Sequence, residues 1–407
     1  MNYIFHYIFC SLIFISSVSI AQSDKVLAGP MLSHIDSYGS QIWFLLDKSA
    51  DKIKIDVRDY ENNNLIEYHF DVINKDNRNE IPFTVTIETL EPNTEYIASV
   101  YVDDTFVTEL DIFTKRPHLD DIQFLISSDL GEPSAKIFSQ MKKSNSDFMV
   151  WLGGHVSFDF PIEYEDIVSI YINVRCNDNL NDFMTSTPQI STWGDEDYGL
   201  NTGVSFSLKN ISHDAFKLFW PNSSKKTYNY TYFDYGTYQR YTYNDLDLFL
   251  LDAMSFRRED KSILYSTNQL DRMFQEIKNT GATFTIIASP VPFTFENQES
   301  YLYYKREFDY FLQRLENSGV NGVILLSAGS ETGTTMNEYD LPKEIGESNY
   351  IKKSLFEFNF SPLYMNNYSM VSISGKKGYR VFSFETYNEN GNLLYRKNLY
   401  ERELKIN

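Results

Sequence analysis

The sequence predicts an α/β layered domain preceded by an all-β sandwich, and three observations predict it. Residues 24–116 read as short strands divided by polar turns. Beyond residue 118, strand-like runs alternate with helical ones. The chain is 407 residues long, with 42% hydrophobic and 16% aromatic residues, which is ample for more than one core.

The opening run, MNYIFHYIFCSLIFISSVSIAQS, is apolar and ends in small residues, with Ser19 and Ala21 placed as a signal peptidase needs them. It predicts a signal peptide over 1–21 and export to the periplasm or surface of a bacterium. Cys10 falls inside it, so Cys176 is left alone in the mature chain and no internal disulfide is expected. No later run reaches about 20 apolar residues, so no membrane span is expected after cleavage.

Within 24–116, QIWFLLD (41–47), KIKIDVRDY (52–60) and FTVTIE (83–88) are runs of β-formers, and turn-rich segments such as NKDNRN separate them. LEPNTEYIASVYVDD (90–104) is more specific. A leucine, Pro92 in a turn, then Thr94 and Tyr96 entering a strand is how fibronectin and immunoglobulin-like sandwiches begin a late strand. TKRPHLDD (114–121) serves as the linker to a second domain over 118–407.

There the strands IQFLIS (122–127), DFMVWLG (147–153), LDLFLLD (246–252), TFTIIAS (283–289) and GVILLS (322–327) alternate with helices at 134–143, 267–279 and 303–319. YRVFSFETYNENGNLLYRKNLYE (379–401) reads as two strands around Asn390–Gly391 that cover a sheet edge. Ligands of such sheets bind beyond the carboxyl ends of strands. Attention therefore falls on Ser128–Asp129, Gly154–His155, Asp252, Ser289–Pro290 and Gly329–Glu331.

Several stretches together resemble the PhoD-like alkaline phosphatases, calcineurin-type metallophosphoesterases whose catalytic domain follows a small β-sandwich. AGPMLSHIDSYGSQIWF (28–44) is similar to the family's opening segment. DFMVWLGGHVSF (147–158) resembles its Trp-Leu-Gly-Asp-Asn-Val-Tyr strand end, and STWGDEDYGLN (191–201) its Trp-Asp-Asp-His-Asp-Tyr-Gly-Pro-Asn. FKLFWPNSS, DLFLLDAMSFR and VILLSAGSETG follow in the family's order. The resemblance covers nearly the whole mature chain and implies a metallophosphoesterase-like fold.

The chemistry carries over less well. A two-metal phosphoesterase needs a bridging carboxylate, several Asp, Asn or His ligands, and a group to meet the phosphoryl oxygens. Asp129 stands near the family's ligand cysteine, whereas Gly154 stands where the bridging aspartate belongs and His155 where an asparagine does. Asp195 and Asp197 match two acids of the Asp-Asp-His-Asp group, while Gly194 and Glu196 replace the other two. Ala328-Gly329-Ser330-Glu331 replaces Gly-Asp-Arg-His.

The resemblance thus implies a retained scaffold with a lost or strongly altered centre. If the centre works, Asp129, Asp195, Asp197 and Glu331 would hold one divalent cation. Their all-oxygen chemistry suits Ca²⁺ or Mg²⁺ better than Fe or Zn. His155 and Arg175 would act on a phosphate mono- or diester. If it does not, the acids are solvated or paired, no cation is held, and the protein is a binding or scaffolding protein with a partner in the cell envelope, or a phosphate sensor. The net charge of −20 argues against nucleic acid as a partner.

Overall fold

The computed structural model describes residues 24–74, 78–114, 121–157, 163–199, 208–222, 236–243, 245–341 and 354–404. The signal sequence read at 1–21 and most of the linker lie outside them. Among the described residues no helix is long and apolar enough to cross a membrane.

The first seven strands are β1 (Val26–Leu32), β2 (Ser40–Asp47), β3 (Lys52–Asp59), β4 (Leu65–Asp71), β5 (Glu80–Ile87), β6 (Glu95–Val102) and β7 (Thr105–Phe113). They form two antiparallel sheets, β1-β2-β5 and β4-β3-β6-β7. Both sheets contribute to one core through residues such as Phe44, Ile55, Val85 and Val100. Tyr96 lies in this core and accepts the Glu91 amide on its hydroxyl (2.8 Å), which fixes the turn before β6.

The rest of the chain continues as β8 (Ile122–Ser127), α1 (Ala135–Lys143), β9 (Phe148–Leu152), α2 (Tyr164–Arg175), α3 (Asp178–Ser186), β10 (Gln189–Thr192), the single turn α4 (Asp195–Tyr198), α5 (Lys209–Phe219), β11 (Gln239–Tyr243), β12 (Leu246–Leu250), α6 (Thr267–Ile277), β13 (Phe284–Ser289), α7 (Lys305–Ser318), β14 (Val323–Ser327), β15 (Thr335–Asp340), β16 (Ser354–Asn359), β17 (Asn367–Ser374), β18 (Val381–Asn388) and β19 (Leu393–Tyr400). Two six-stranded mixed sheets result, ordered β10-β9-β8-β17-β18-β19 and β11-β12-β13-β14-β16-β15. The predicted terminal hairpin forms the edge of the first sheet instead of covering one, because β17 pairs β8 and carries β18 and β19 outward.

The two sheets face each other across a core without helices, where Phe124, Val150, Leu248, Ile286 and Phe384 meet. Alternate residues of the same strands, Leu125, Met149, Phe249 and Ile287, point instead to the helices outside. Central strands are therefore buried on both faces, which is why they read as unbroken apolar runs.

Local signals set the helix ends. The Ser134 hydroxyl accepts the Lys136 amide at the start of α1, and Lys142 and Lys143 occupy its last turn, where cations suit the helix dipole. Asn177 accepts the Leu180 amide to open α3, and Gly319 closes α7 in the left-handed conformation.

The sandwich joins the α/β core through β1 and β2. Ile42, Phe44 and Leu46 face the sandwich interior, whereas Trp43 and Leu45 enter the helix-side core with Ala28 and Met31. The Trp43 indole donates to the Leu218 carbonyl (2.9 Å), and the Gly29 amide to the Asn181 side chain (2.8 Å). Trp43→Ala is expected to cost about 3–5 kcal/mol, the usual range for a buried tryptophan. Chemical denaturation should report that loss by far-UV circular dichroism and by fluorescence of the remaining tryptophans.

Candidate functional site

The loops that follow β8, β9 and β10 meet in direct backbone contact. Asp129 adopts a left-handed conformation (φ 44°), with its amide on the Gly153 carbonyl (2.9 Å) and the next amide, of Leu130, on Gly154 (2.7 Å). Gly154 is itself left-handed (φ 69°), and a Cβ there would stand 2.3 Å from Asp129 Oδ1 and 2.5 Å from its Cα. Gly153 (φ 82°) presses on the β10 loop just as closely: a Cβ on it would lie 2.3 Å from the Gly194 amide nitrogen. The space that a side chain at 154 would need is filled by Asp129.

Asp197 is fully buried, and both its oxygens are engaged. Oδ2 accepts the amides of Gly154 (2.8 Å) and Gly194 (2.9 Å), and Oδ1 those of His155 (3.0 Å) and Val156 (3.3 Å) together with the Tyr171 hydroxyl (3.2 Å). One carboxylate thus ties the β9 loop, the β10 loop and α2 together. Burial pushes its carboxyl up to about 7 while the amides and the phenol favour the ionised form. The same burial, with Asp197 beside it, holds the Tyr171 phenol well above its ordinary value.

His155 and Arg175 point into the interior. The His155 ring lies 4.4 Å from Trp220 and places Nε2 2.5 Å from the Ser191 hydroxyl. Burial, reinforced by the Arg175 charge, holds its pKa well below 6.5, so the imidazole is neutral. His155 and Ser191 are 5% and 0% exposed, so this pair has no access to a substrate.

The Arg175 guanidinium donates to the Phe219 carbonyl (2.9 Å) and faces the sulfurs of Met184 (2.6 Å) and Met31 (3.4 Å). It also stacks on Trp220 (4.2 Å) and Trp43 (5.1 Å). Burial lowers its pKa to about 9, against the opposing influence of Tyr171 and Asp197. Arg175 therefore joins the sandwich to α2, α3 and α5, away from any open cleft.

The remaining acids form a lip. Asp195 and Glu196 are half-buried in α4, and the Asp195 carboxylate accepts the Glu196 amide (3.1 Å). Glu331 is exposed on the loop after β14. Tyr364 stands over Gly131, and burial raises its phenol, with the charges of Asp129, Glu331 and Glu196 adding to the shift. Asp129, hydrogen-bonded by Ser128 (2.7 Å), is raised to about 7 by burial, with Asp195 and Glu196 adding to the shift.

Of the six residues singled out from sequence, Asp129, Asp195 and Glu331 gather loosely at this lip, Asp197 lies beneath it, and His155 and Arg175 lie deeper still. Among the described residues no three His, Cys, Asp or Glu side chains come together as metal ligands. The described residues do not by themselves fit a two-metal centre. Sequence reasoning missed Tyr171, whose hydroxyl completes the Asp197 cage, and Tyr364 at the lip. Neither carries a motif, since Tyr171 lies on the apolar stripe of α2 and Tyr364 in a single 3-10 turn, Leu363–Met365.

No family model matches the chain, and no curated protein matches it. Among solved structures, one described as "Structure of PhoD" superposes with a TM-score of 0.71 over 92% of this chain and 92% of that chain, at 13% identity. The chain has the PhoD fold. At this identity the likeness speaks for the fold alone. A sensor domain of the anti-sigma factor RsgI4 in Pseudobacteroides cellulosolvens matches 21% of this chain (84% of its own, 20% identity) with a TM-score of 0.18. A glycosyl hydrolase family 2 member from Bacteroides cellulosilyticus spans 92% of this chain and 63% of its own at 10% identity with a TM-score of 0.27. Neither supports an argument. Within the PhoD fold of this chain, Gly154 and Asp197 act as packing and clamping residues of the strand-end loops.

Two outcomes check this assignment. Asp197→Ala strands four amides and a phenol in the interior and should cost about 3–5 kcal/mol, whereas Asp195→Ala should stay within about 0.5 kcal/mol; urea titration of both variants separates a clamp from a surface acid. Because the folded pKa of Asp129 is raised, its contribution to stability is fully present below the unfolded value near 4 and is lost as pH climbs through about 7. Asp129→Asn should therefore melt with the parent at pH 4 and about 2–4 °C above it at pH 8.

Proposed function

We propose that this is an exported PhoD-fold protein in which phosphate-ester hydrolysis has been lost or strongly altered, and that it works at the bacterial cell envelope by binding. The observation that carries this reading is the closure at Gly154. A bridging carboxylate at that position would collide with Asp129, and the glycine's left-handed backbone disfavours any side chain there. Engagement of Asp197 by five donors and the inward position of His155 and Arg175 support it further.

The unit order in this reading is a signal peptide at 1–21, a sandwich at 24–116 and the PhoD-fold domain at 118–407. The strand order 1-2-5 facing 4-3-6-7 supports a fibronectin or immunoglobulin-like sandwich. A single Ca²⁺ or Mg²⁺ held weakly at the lip by Asp129, Asp195 and Glu331 is the variant of this reading that retains a cation. Its motive is the raised carboxyl of Asp129, which a cation would relieve. A phosphate mono- or diester would be the substrate if turnover persists.

The test is metal content of the purified mature protein together with hydrolysis of an aryl phosphate mono- and diester, with Asp195→Ala as control. Asp197→Ala is unsuitable because it disturbs the fold. The expected result is no stoichiometric metal, no hydrolysis that Asp195→Ala abolishes, and a melting shift under about 1 °C with Ca²⁺, Mg²⁺, Mn²⁺, Fe²⁺ or Zn²⁺, since a tightly held ion must stabilise the native state. Metal-dependent turnover abolished by Asp195→Ala would overturn the reading and leave a working variant centre. Gly154→Asp is expected to lower stability without creating activity.

A further inference from the structure

Where the sandwich meets α3, a groove of about 650 Å³ runs between two sheet edges. One edge is β1, represented by Gly29 and Pro30; the other is β7, from Phe106 to Glu109. The two edges are not equivalent. On β1 the Gly29 amide already bonds Asn181 and Pro30 has no amide hydrogen, so that edge offers little to a further strand. Among the described residues β7 pairs with β6 on one side only, and no strand pairs with its other edge over 105–111.

Edge strands are commonly guarded by charged residues, proline, bulges or a covering element; β7 (TFVTELDIF) has no lysine or proline, and its guards are the acids Glu109 and Asp111 and a bulge opposite Val100–Tyr101. The charges of the groove point to the chemistry of an occupant. Glu109 on β7 and Asp178 and Asp182 on α3 line it, and no lysine or arginine does. Lys142 pairs with Asp182 (2.8 Å), whereas among the described residues neither Glu109, which accepts the Ser99 hydroxyl (3.2 Å), nor Asp178 has an ion-pair partner. Half-buried Phe106 supplies apolar surface beside them, while the Val107 side chain belongs to the sandwich core.

We infer that this groove takes an extended segment of a partner protein, alternating basic and apolar residues, by strand addition to the outer edge of β7. Main-chain pairing with β7 supplies affinity, and the acids of β7 and α3 select positive side chains. The inference goes beyond the hydrolytic state of the PhoD-fold cleft, and its assay succeeds or fails separately from the hydrolysis assay.

The probe is a seven-residue alternating valine–lysine peptide, compared with its valine–glutamate counterpart and with a version N-methylated at alternate amides. The expected result is slowed amide hydrogen exchange across residues 105–111 with the lysine peptide alone. Glu109→Lys with Asp178→Asn should weaken that binding about tenfold, with a melting shift of no more than about 1–2 °C from the lost acid in the first turn of α3. Equal binding of the N-methylated peptide, or protection located elsewhere, would mean general attraction to an acidic chain and overturn the inference. Absence of binding, or binding of the glutamate peptide, would overturn it as well.

Discussion

The arrangement at the strand ends depends on a single buried carboxylate. Asp197 gathers amides from the β9 loop and the β10 loop and a phenol from α2. Buried donors without acceptors are costly, so the three segments can close only where this side chain reaches them all. Closure in turn brings Gly153 against Gly194 and Gly154 against Asp129, and the glycines are what allow backbones to approach so closely. The absence of a side chain at 154 is therefore part of a packed arrangement and not an isolated gap.

A second buried charge organises the other side of the same loops. Arg175 has its guanidinium between two indoles and two thioethers, with one backbone carbonyl as its oxygen acceptor in the cage described. Removing a guanidinium from water is unfavourable, and aromatic faces together with charge-assisted hydrogen bonds offset that only in a dry, well-packed cage. Because Trp43 and Met31 come from the sandwich and Trp220, Met184 and Phe219 from the helices, the cage makes the two parts interdependent. Trp43 also uses its indole nitrogen on Leu218, so β2 is held at both its side-chain faces.

These two features place the chemistry-bearing residues in a different light from the one their motifs suggest. A histidine after a strand and an arginine between acidic motifs invite roles at a phosphate, yet both are in aromatic surroundings where substrate cannot reach. Open to solvent among the described residues are an acidic lip with Tyr364 and, separately, a groove bordered by β1 and β7. The function of a fold resides in its sites and not in its topology.

The sequence by itself determined the strand and helix order, because hydrophobic periodicity and turn chemistry are local: IQFLIS, DFMVWLG and GVILLS fall within a residue or so of β8, β9 and β14. The likeness to PhoD was legible too, since scaffold residues such as Trp151, Trp193 and Tyr198 keep their order and are buried where the fold needs them. Helices α2, α3 and α5 escaped notice because short amphipathic stretches rich in Asn, Asp and aromatics carry weak propensity and are held by packing. Tertiary structure alone decided what the acids and cations do. Asp195 and Asp197 are two residues apart and equally acidic in sequence, yet one faces the lip and the other meets five donors from three segments. Apart from the Gly194 amide three residues away, those contacts span 26–43 residues of separation, which no local pattern encodes.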